Sequence, residues 1–305
     1  MTRFQKVFLR DQLGERVYAA AFGKHPAWDD HIDDIGLVTE TMVLAKQLLY
    51  SQGIANQLAT GAWDQMERSG QSLEFDHRFV WARKEQSLIG AIYASSDGKG
   101  RARFPMVVCI QAAVSGLRAV QIYLPQTDRI GARCKAATTR DAFRASIDRG
   151  NDELNAFRLV SGANPGVAHS ETVDEPKVVE SAANLLEASN DPRSNRFRLP
   201  AVSPRIQDNL EFWAGYLERH VQPGQPFVLI AAVGAAPVDL RIGEPASDDW
   251  YCLRANETAL PITKPKEEIS PRFERQARAY LEWFRLGSSS ESTPRRGWWG
   301  GLFGR

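Results

Sequence analysis

Three short apolar runs in the first half of the chain, at 79–82, 88–94 and 104–110, constrain the fold more than any other feature. They are rich in Val, Ile and aromatic residues, whose branched or flat side chains suit a pleated surface, and each is too short for an ordinary helix. K-E-Q-S separates the first two, and S-S-D-G-K-G-R-A-R separates the second from the third. The spacing predicts three antiparallel strands joined by hairpins. The second connection is long for a hairpin and carries Gly98, Lys99, Gly100, Arg101 and Arg103. Long connections of this kind are where binding groups concentrate.

Around these strands the period is mostly helical. Residues 1–16 read as a polar lead-in, and 17–22 as a strand stopped by Gly23 and Pro26. Thr39 is placed to cap a helix carrying Val38, Met42, Ala45, Leu48 and Leu49, with Gly53 as its end and a second short helix on Ile54, Leu58 and Trp63. Residues 117–157 are helical in pattern, with Phe143, Ile147 and Leu154 on one face, and 161–176 reads as a linker or long loop. A helix is expected over 178–186. Ser203-Pro204 opens another, striped by Ile206, Leu210, Trp213 and Leu217. Strands are expected at 227–233, 238–242 and 250–253, and Ser270-Pro271 starts a last helix bearing Phe273, Ala277, Tyr280, Leu281 and Phe284. The class is α+β: an antiparallel sheet flanked by helices over 17–160, followed by a second α+β part over 177–286. At 305 residues the chain is long enough for two such parts, each with its own core.

Composition removes several functions. The net charge is +1 and basic residues are scattered, so neither nucleic acid nor an anionic membrane is an expected partner. The longest apolar run, 227–236, is about half of the ~20 residues a bilayer crossing takes, so no transmembrane segment is expected. The first dozen residues lack a signal-peptide core. Cys109, Cys134 and Cys252 are odd in number and form no C-x-x-C pair, which fits a reducing cytoplasm.

The polar stretch 21–37, A-F-G-K-H-P-A-W-D-D-H-I-D-D-I-G-L, leaves two readings open. His25, Asp29, Asp30 and His31, with His77 as a distal partner, supply the imidazole and carboxylate ligands of a metal-dependent hydrolase. Alternatively Asp30, Asp33 and Asp34 cap the following turn, and His25 satisfies a backbone carbonyl. No H-E-x-x-H, G-x-S-x-G, Walker loop or dinucleotide fingerprint is present, and no cofactor is expected. G-K-G-R-A-R reads as a hairpin tip whose cations are solvated. The stretch 287–305 is a Ser-rich linker leading to Arg295 and Arg296 and then to Trp298, Trp299, Leu302 and Phe303 among glycines. Aromatic anchors of that kind suit docking into a partner's groove, which makes a generic adaptor a further reading, with interfacial contact of the tail with a membrane, Arg295 and Arg296 near the headgroups, as its alternative.

Two motifs combine into a resemblance. F-G-K-H-P-A-W-D-D-H and, some seventy residues on, D-G-K-G-R-A-R-F-P-M resemble the TagF family of type VI secretion accessory proteins, with its [F/Y]-G-K-x-P-x-x-x-D-[F/H] and D-x-x-G-R-x-[F/Y]-P-[L/M] patterns. The match rests on Phe22, Gly23, Lys24, Pro26 and Asp30, then on Asp97, Gly100, Arg101, Phe104, Pro105 and Met106, and covers about residues 17–115. Trp28-Asp29 replaces the family's usual small residue before the Asp, and His31 stands where Phe is common. The resemblance implies a non-enzymatic cytoplasmic α+β protein that restrains assembly of a secretion machine by binding a component, in the family a forkhead-associated scaffold protein. Beside it, the residues themselves lead to the expectation that Lys24 and Arg101 lie near Asp30 and Asp97 and tie the two motifs together.

Overall fold

The structure is a computed structural model, and it describes residues 16–83, 85–156, 174–188, 195–221, 224–234, 237–265 and 269–286. The polar lead-in before Arg16, most of the expected linker 161–176, and the aromatic tail 287–305 with Trp298, Trp299, Leu302 and Phe303 lie outside the described residues.

The fold is α+β. Seven strands form one antiparallel sheet: β1 (Tyr18–Gly23), β2 (Asp76–Arg83), β3 (Gln86–Tyr93), β4 (Met106–Ala112), β5 (Arg196–Leu199), β6 (Phe227–Ala232) and β7 (Val238–Ile242), in the order β1-β4-β3-β2-β6-β7-β5. β2, β3 and β4 are the three strands expected from the apolar runs. Both faces of the sheet are covered, which explains why those runs are nearly continuous rather than alternating. On one face Ala19, Ala21, Val80, Ile89 and Val108 meet α4 (Gly116–Ala136), α5 (Arg140–Ala156), α6 (Glu175–Ala188), α7 (Ile206–Tyr216) and α8 (Pro271–Arg285). On the other, Phe22, Phe79, Trp81, Ile92 and Val107 meet α1 (Glu40–Ala45), a π-helical stretch Lys46–Ile54, α2 (Ala55–Ala59), α3 (Ala62–Arg68) and a 3₁₀ stretch Ser247–Arg254.

The expectation of a separate second α+β part is corrected at β2. That strand pairs with β3 on one side and β6 on the other, so residues 177–286 extend the first sheet instead of building another. Without β6, the edge of β2 would be left open, a liability that pairing removes. Other local readings also change. Gly53 does not end a helix: the chain stays helical through it, and the missing side chain makes room for Trp250, whose Cδ1 would stand 2.3 Å from a Cβ there. Residues 250–253 belong to the 3₁₀ stretch and not to a strand, with the Asp249 carboxylate accepting from Ala246 N at 2.6 Å. Ser203 does not start α7 directly; its hydroxyl donates to Asp208 and accepts from Arg205 N, and regular helix begins at Ile206. Ser270-Pro271 does open α8, and Thr39 caps α1 by accepting from Met42 N.

Both sheet edges are closed by polar devices that the residue pattern hides. Asn151 and Asn155, one turn apart on α5, use their carboxamides like a neighbouring strand, accepting from Ala19 N and Val17 N and donating to the two carbonyls of the same residues. At the opposite edge, Thr263 exchanges bonds with the Arg198 backbone on β5. No helix among the described residues is long and apolar enough to cross a membrane. The three cysteines are free and buried, and burial pushes the Cys109 and Cys134 thiols up to about 12.

Candidate functional site

The two motifs meet at the end of β1. Gly23 closes that strand with φ +108°, and a Cβ there would lie 2.2 Å from the Pro105 carbonyl oxygen, so only glycine lets β1 end this close to the start of β4. Lys24 N then donates to that same carbonyl, and Ile32 N donates back to Gly23 O at 2.7 Å, which folds residues 24–31 into a tight loop. Trp28 anchors the loop from below, edge-on to Phe143. The second loop is wound around Asp97, whose Oδ1 accepts from Lys99 N and Arg101 N at 3.0 Å each, with Gly100 at φ +77° completing the turn. Gly98 N donates to Trp28 O, and Ser95 Oγ to Lys24 O. The loops are therefore stitched together along their backbones.

Charge completes the tie. The Lys24 ammonium is buried and lies 2.5 Å from Asp97 Oδ2, and Arg101 Nε reaches the same oxygen at 2.7 Å. Asp30 Oδ1 stands 3.5 Å from Lys24 Nζ and 3.2 Å from Arg101 Nη2, which also donates to the Asp29 carbonyl. Burial by itself would raise the Asp97 pKa; the bonds from Lys24, from the Arg101 backbone and guanidinium, and from Lys99 N outweigh it and hold the carboxyl well below the usual range. Asp30 is also lowered: burial pushes it up, while His31, Lys24 and Arg101 pull it down further. The Asp97 side chain is fully covered, whereas Asp30 is 69% and Arg101 53% exposed. A closed ionic knot thus carries an open charged rim. Lys24, Asp30, Asp97 and Arg101 are brought together as expected. Phe22 and Phe104 are drawn in beside them through contacts to the Tyr50 ring, with His31 edge-on to both Phe104 and Tyr50.

The metal arrangement does not form. His25 is buried; its Nδ1 accepts from Ala27 N at 3.1 Å, it also hydrogen-bonds the Cys134 backbone, and burial lowers its pKa, so it sits as a neutral ring in the core. His77 points into the sheet face covered by α1–α3, where burial lowers its pKa to about 3. Asp33 pairs with Arg144, Asp34 with Lys46 and Asp76 with Arg78. Among the described residues no three His, Cys, Asp or Glu side chains converge to hold an ion. The set His25, Asp29, Asp30, His31 and His77 is corrected accordingly: adjacent residues in a tight loop point to opposite sides, some into the core and some to solvent. What residue reasoning missed is Tyr50, which sits under the loops from the π-helical stretch; its only signal was an aromatic residue on a helical stripe.

No protein-family model matches the chain, and no curated protein does. Among solved structures, the crystal structure of PA0076 from Pseudomonas aeruginosa PAO1 is similar with a TM-score of 0.43 and 15% sequence identity, over 83% of this chain and 100% of that one.

Proposed function

We propose that this chain is a non-enzymatic regulatory or assembly factor that binds another protein through the paired loops 24–31 and 97–105, in a contractile apparatus of the type VI secretion kind. The observation that supports this is the occupancy of the Asp97 knot. Its cations and its carboxylate are engaged with one another and with backbone N–H groups, and Asp97 is held far from a pKa at which it would exchange protons near neutrality. Such a knot fixes loop shape, and a pre-shaped rim loses little freedom when a partner docks. The machine and a forkhead-associated scaffold as partner come from the TagF resemblance alone, and a cytoplasmic setting from that resemblance together with the three unpaired cysteines.

The test is affinity capture from the native cell with the wild-type chain, Arg101→Ala, and Arg149→Ala as a surface control. A secretion or sheath component is expected with wild type and control, reduced at least about tenfold in Arg101→Ala. Turnover of an ester, phosphate or nucleotide by purified protein, abolished in Arg101→Ala, would replace the binding role with an enzymatic one.

A further inference from the structure

On the side of α5 turned away from the paired loops, three arginines share one carboxylate. Gly150 lets α5 lie close against α4, since a Cβ there would stand 2.7 Å from Ile130 Cδ1. That approach brings Arg129 and Arg133, one turn apart on α4, up to Arg149 and Glu153, one turn apart on α5. Arg133 forks the carboxylate, Nη1 on Oε1 at 2.8 Å and Nη2 on Oε2 at 2.9 Å. Arg149 Nε adds a bond to Oε1 at 2.9 Å, and Arg129 Nη2 stands 3.1 Å from Oε2. Each oxygen thus faces two arginines, which fills the roughly four lone-pair sites of a carboxylate.

What is left over is cationic. Three guanidiniums against one carboxylate leave an excess of two positive charges. Bonds from Arg133 and Arg149, with the charges of Arg133 and Arg129 behind them, outweigh burial and hold the Glu153 carboxyl down at about 2, so the acid stays ionised and the excess is fixed. Among the described residues Arg149 spends only its Nε and Arg129 only its Nη2, and the two side chains are 72% and 56% exposed. Their other N–H groups have no acceptor among the described residues. The nearby acids do not take them: Asp128 on α4 pairs with Arg78. Asp141, Asp148 and Asp152 lie about a quarter to a third of a turn round α5 from the line of Arg149 and Glu153.

We infer that Arg129 and Arg149, seated by Arg133 and Glu153, bind a phosphate group, free or as a monoester, on the outer side of the α4–α5 pair. Charge and shape both select it. Such a group carries about −1.5 to −2 near neutrality, which matches the excess, whereas a carboxylate leaves one cation over. Its oxygens accept from two guanidinium forks at once. The site is separate from the proposed docking surface, because Arg140 and Arg144, which bond the Ala27 carbonyl and Asp33, lie about half a turn round α5 from Arg149 and Glu153.

Phosphorus NMR on the full chain tests it, at about pH 7.5 in about 0.15 M sodium chloride so that diffuse surface charge is screened, with inorganic phosphate and methyl phosphate as probes. The phosphate line is expected to broaden with wild type, and the broadening to fall at least about fivefold in Arg129→Gln and in Arg149→Gln. Both substitutions lie on the surface and leave the Arg133 fork on Glu153 in place. Arg68→Gln, which removes an exposed arginine of α3, is expected to bind as wild type does. Methyl phosphate broadening as strongly as inorganic phosphate would extend the site to monoesters, and inorganic phosphate broadening by itself would confine it to the free ion. No broadening with wild type, undiminished broadening in Arg129→Gln or Arg149→Gln, or an equal loss in Arg68→Gln would overturn the inference. So would acetate displacing phosphate as readily as methyl phosphate does, since the site would then read a single charge.

Discussion

Two buried ionic ties sit at opposite ends of the sheet, and they differ in what they leave over. At the β1 end, Asp97 gathers Lys24, Arg101 and two backbone N–H groups, but Arg101 and Asp30 continue out to solvent. At the β5 end, Arg198 on β5 faces Asp239 on β7, cross-strand partners in register. Its guanidinium is 4% exposed and also donates to the carbonyls of Ala255, Asn256 and Leu260, so the arginine pins the 255–260 segment against the sheet. Most of Arg198 is thus spent inside the protein, with Nε alone, 3.1 Å from Asp239 Oδ1, lacking a hydrogen bond among the described residues. The comparison teaches that a buried charge by itself marks a place where chain segments are tied. Only the tie with an exposed rim is a candidate for recognition.

The sharpest way to break this comparison is to remove each tie. Arg198→Met leaves Asp239 buried without its cation and takes the guanidinium from three carbonyls, of which Asn256 O keeps the Leu260 N–H, so a loss of about 4 kcal/mol is expected in urea unfolding. Lys24→Met should cost less, about 2 kcal/mol, because Asp97 keeps Arg101 and its backbone donors. Lys24→Met should also loosen the loops, seen as faster amide exchange at Lys99 and Arg101, while leaving exchange in β5 and β7 unchanged. Equal losses for the two variants would mean that the knot at β1 is as closed as the one at β5, and the distinction between them would fall.

The same contrast explains what could be read from the residues. The β1 site was legible because each loop carries its own local pattern, Gly23 and Pro26 after a strand in one and an Asp-initiated turn with Gly100 in the other, although the ties between them, Gly23 against Pro105 and Lys24 to Asp97, are long-range. The β5 site was not. R-F-R-L is only four residues long, and its two arginines look like loop residues until Asp239, distant in sequence, arrives to neutralise one of them. W-Y-C-L at 250–253 has the apolar run of a strand, yet its path is set by the Asp249 cap and by Trp250 settling against Gly53, which no local pattern reports. Tyr50 was hidden for the opposite reason: its spacing suits a packed helix so well that its place under the loops leaves no trace in the pattern.

The smallest expected effect concerns protons near the β5 tie. His77 is 2% exposed, and neither ring nitrogen has a hydrogen-bond partner among the described residues. Burial lowers its pKa from 6.5 to about 3; Asp76 pulls the other way, and Arg78, Arg198 and Arg254 reinforce the drop. The folded chain therefore keeps His77 neutral while the unfolded chain takes up a proton below 6.5, so its contribution is intact above that value and declines as pH falls toward 3. At about pH 5.5 the expected loss is on the order of 1 kcal/mol. His220, lowered to about 4 by burial, adds a loss of the same sign. Asp239 works in the opposite direction, because burial raises it to about 6 despite Arg198, and it binds a proton more readily folded than unfolded over part of the same interval. Comparing wild type with His77→Leu cancels both of these shared terms. Urea unfolding of the two chains at about pH 7.5 and about pH 5.5 should show wild type losing on the order of 1 kcal/mol more than the variant on acidification. Parallel losses in the two chains would mean that His77 accepts its proton in the fold, and the closed character assigned to the β5 end would have to be given up.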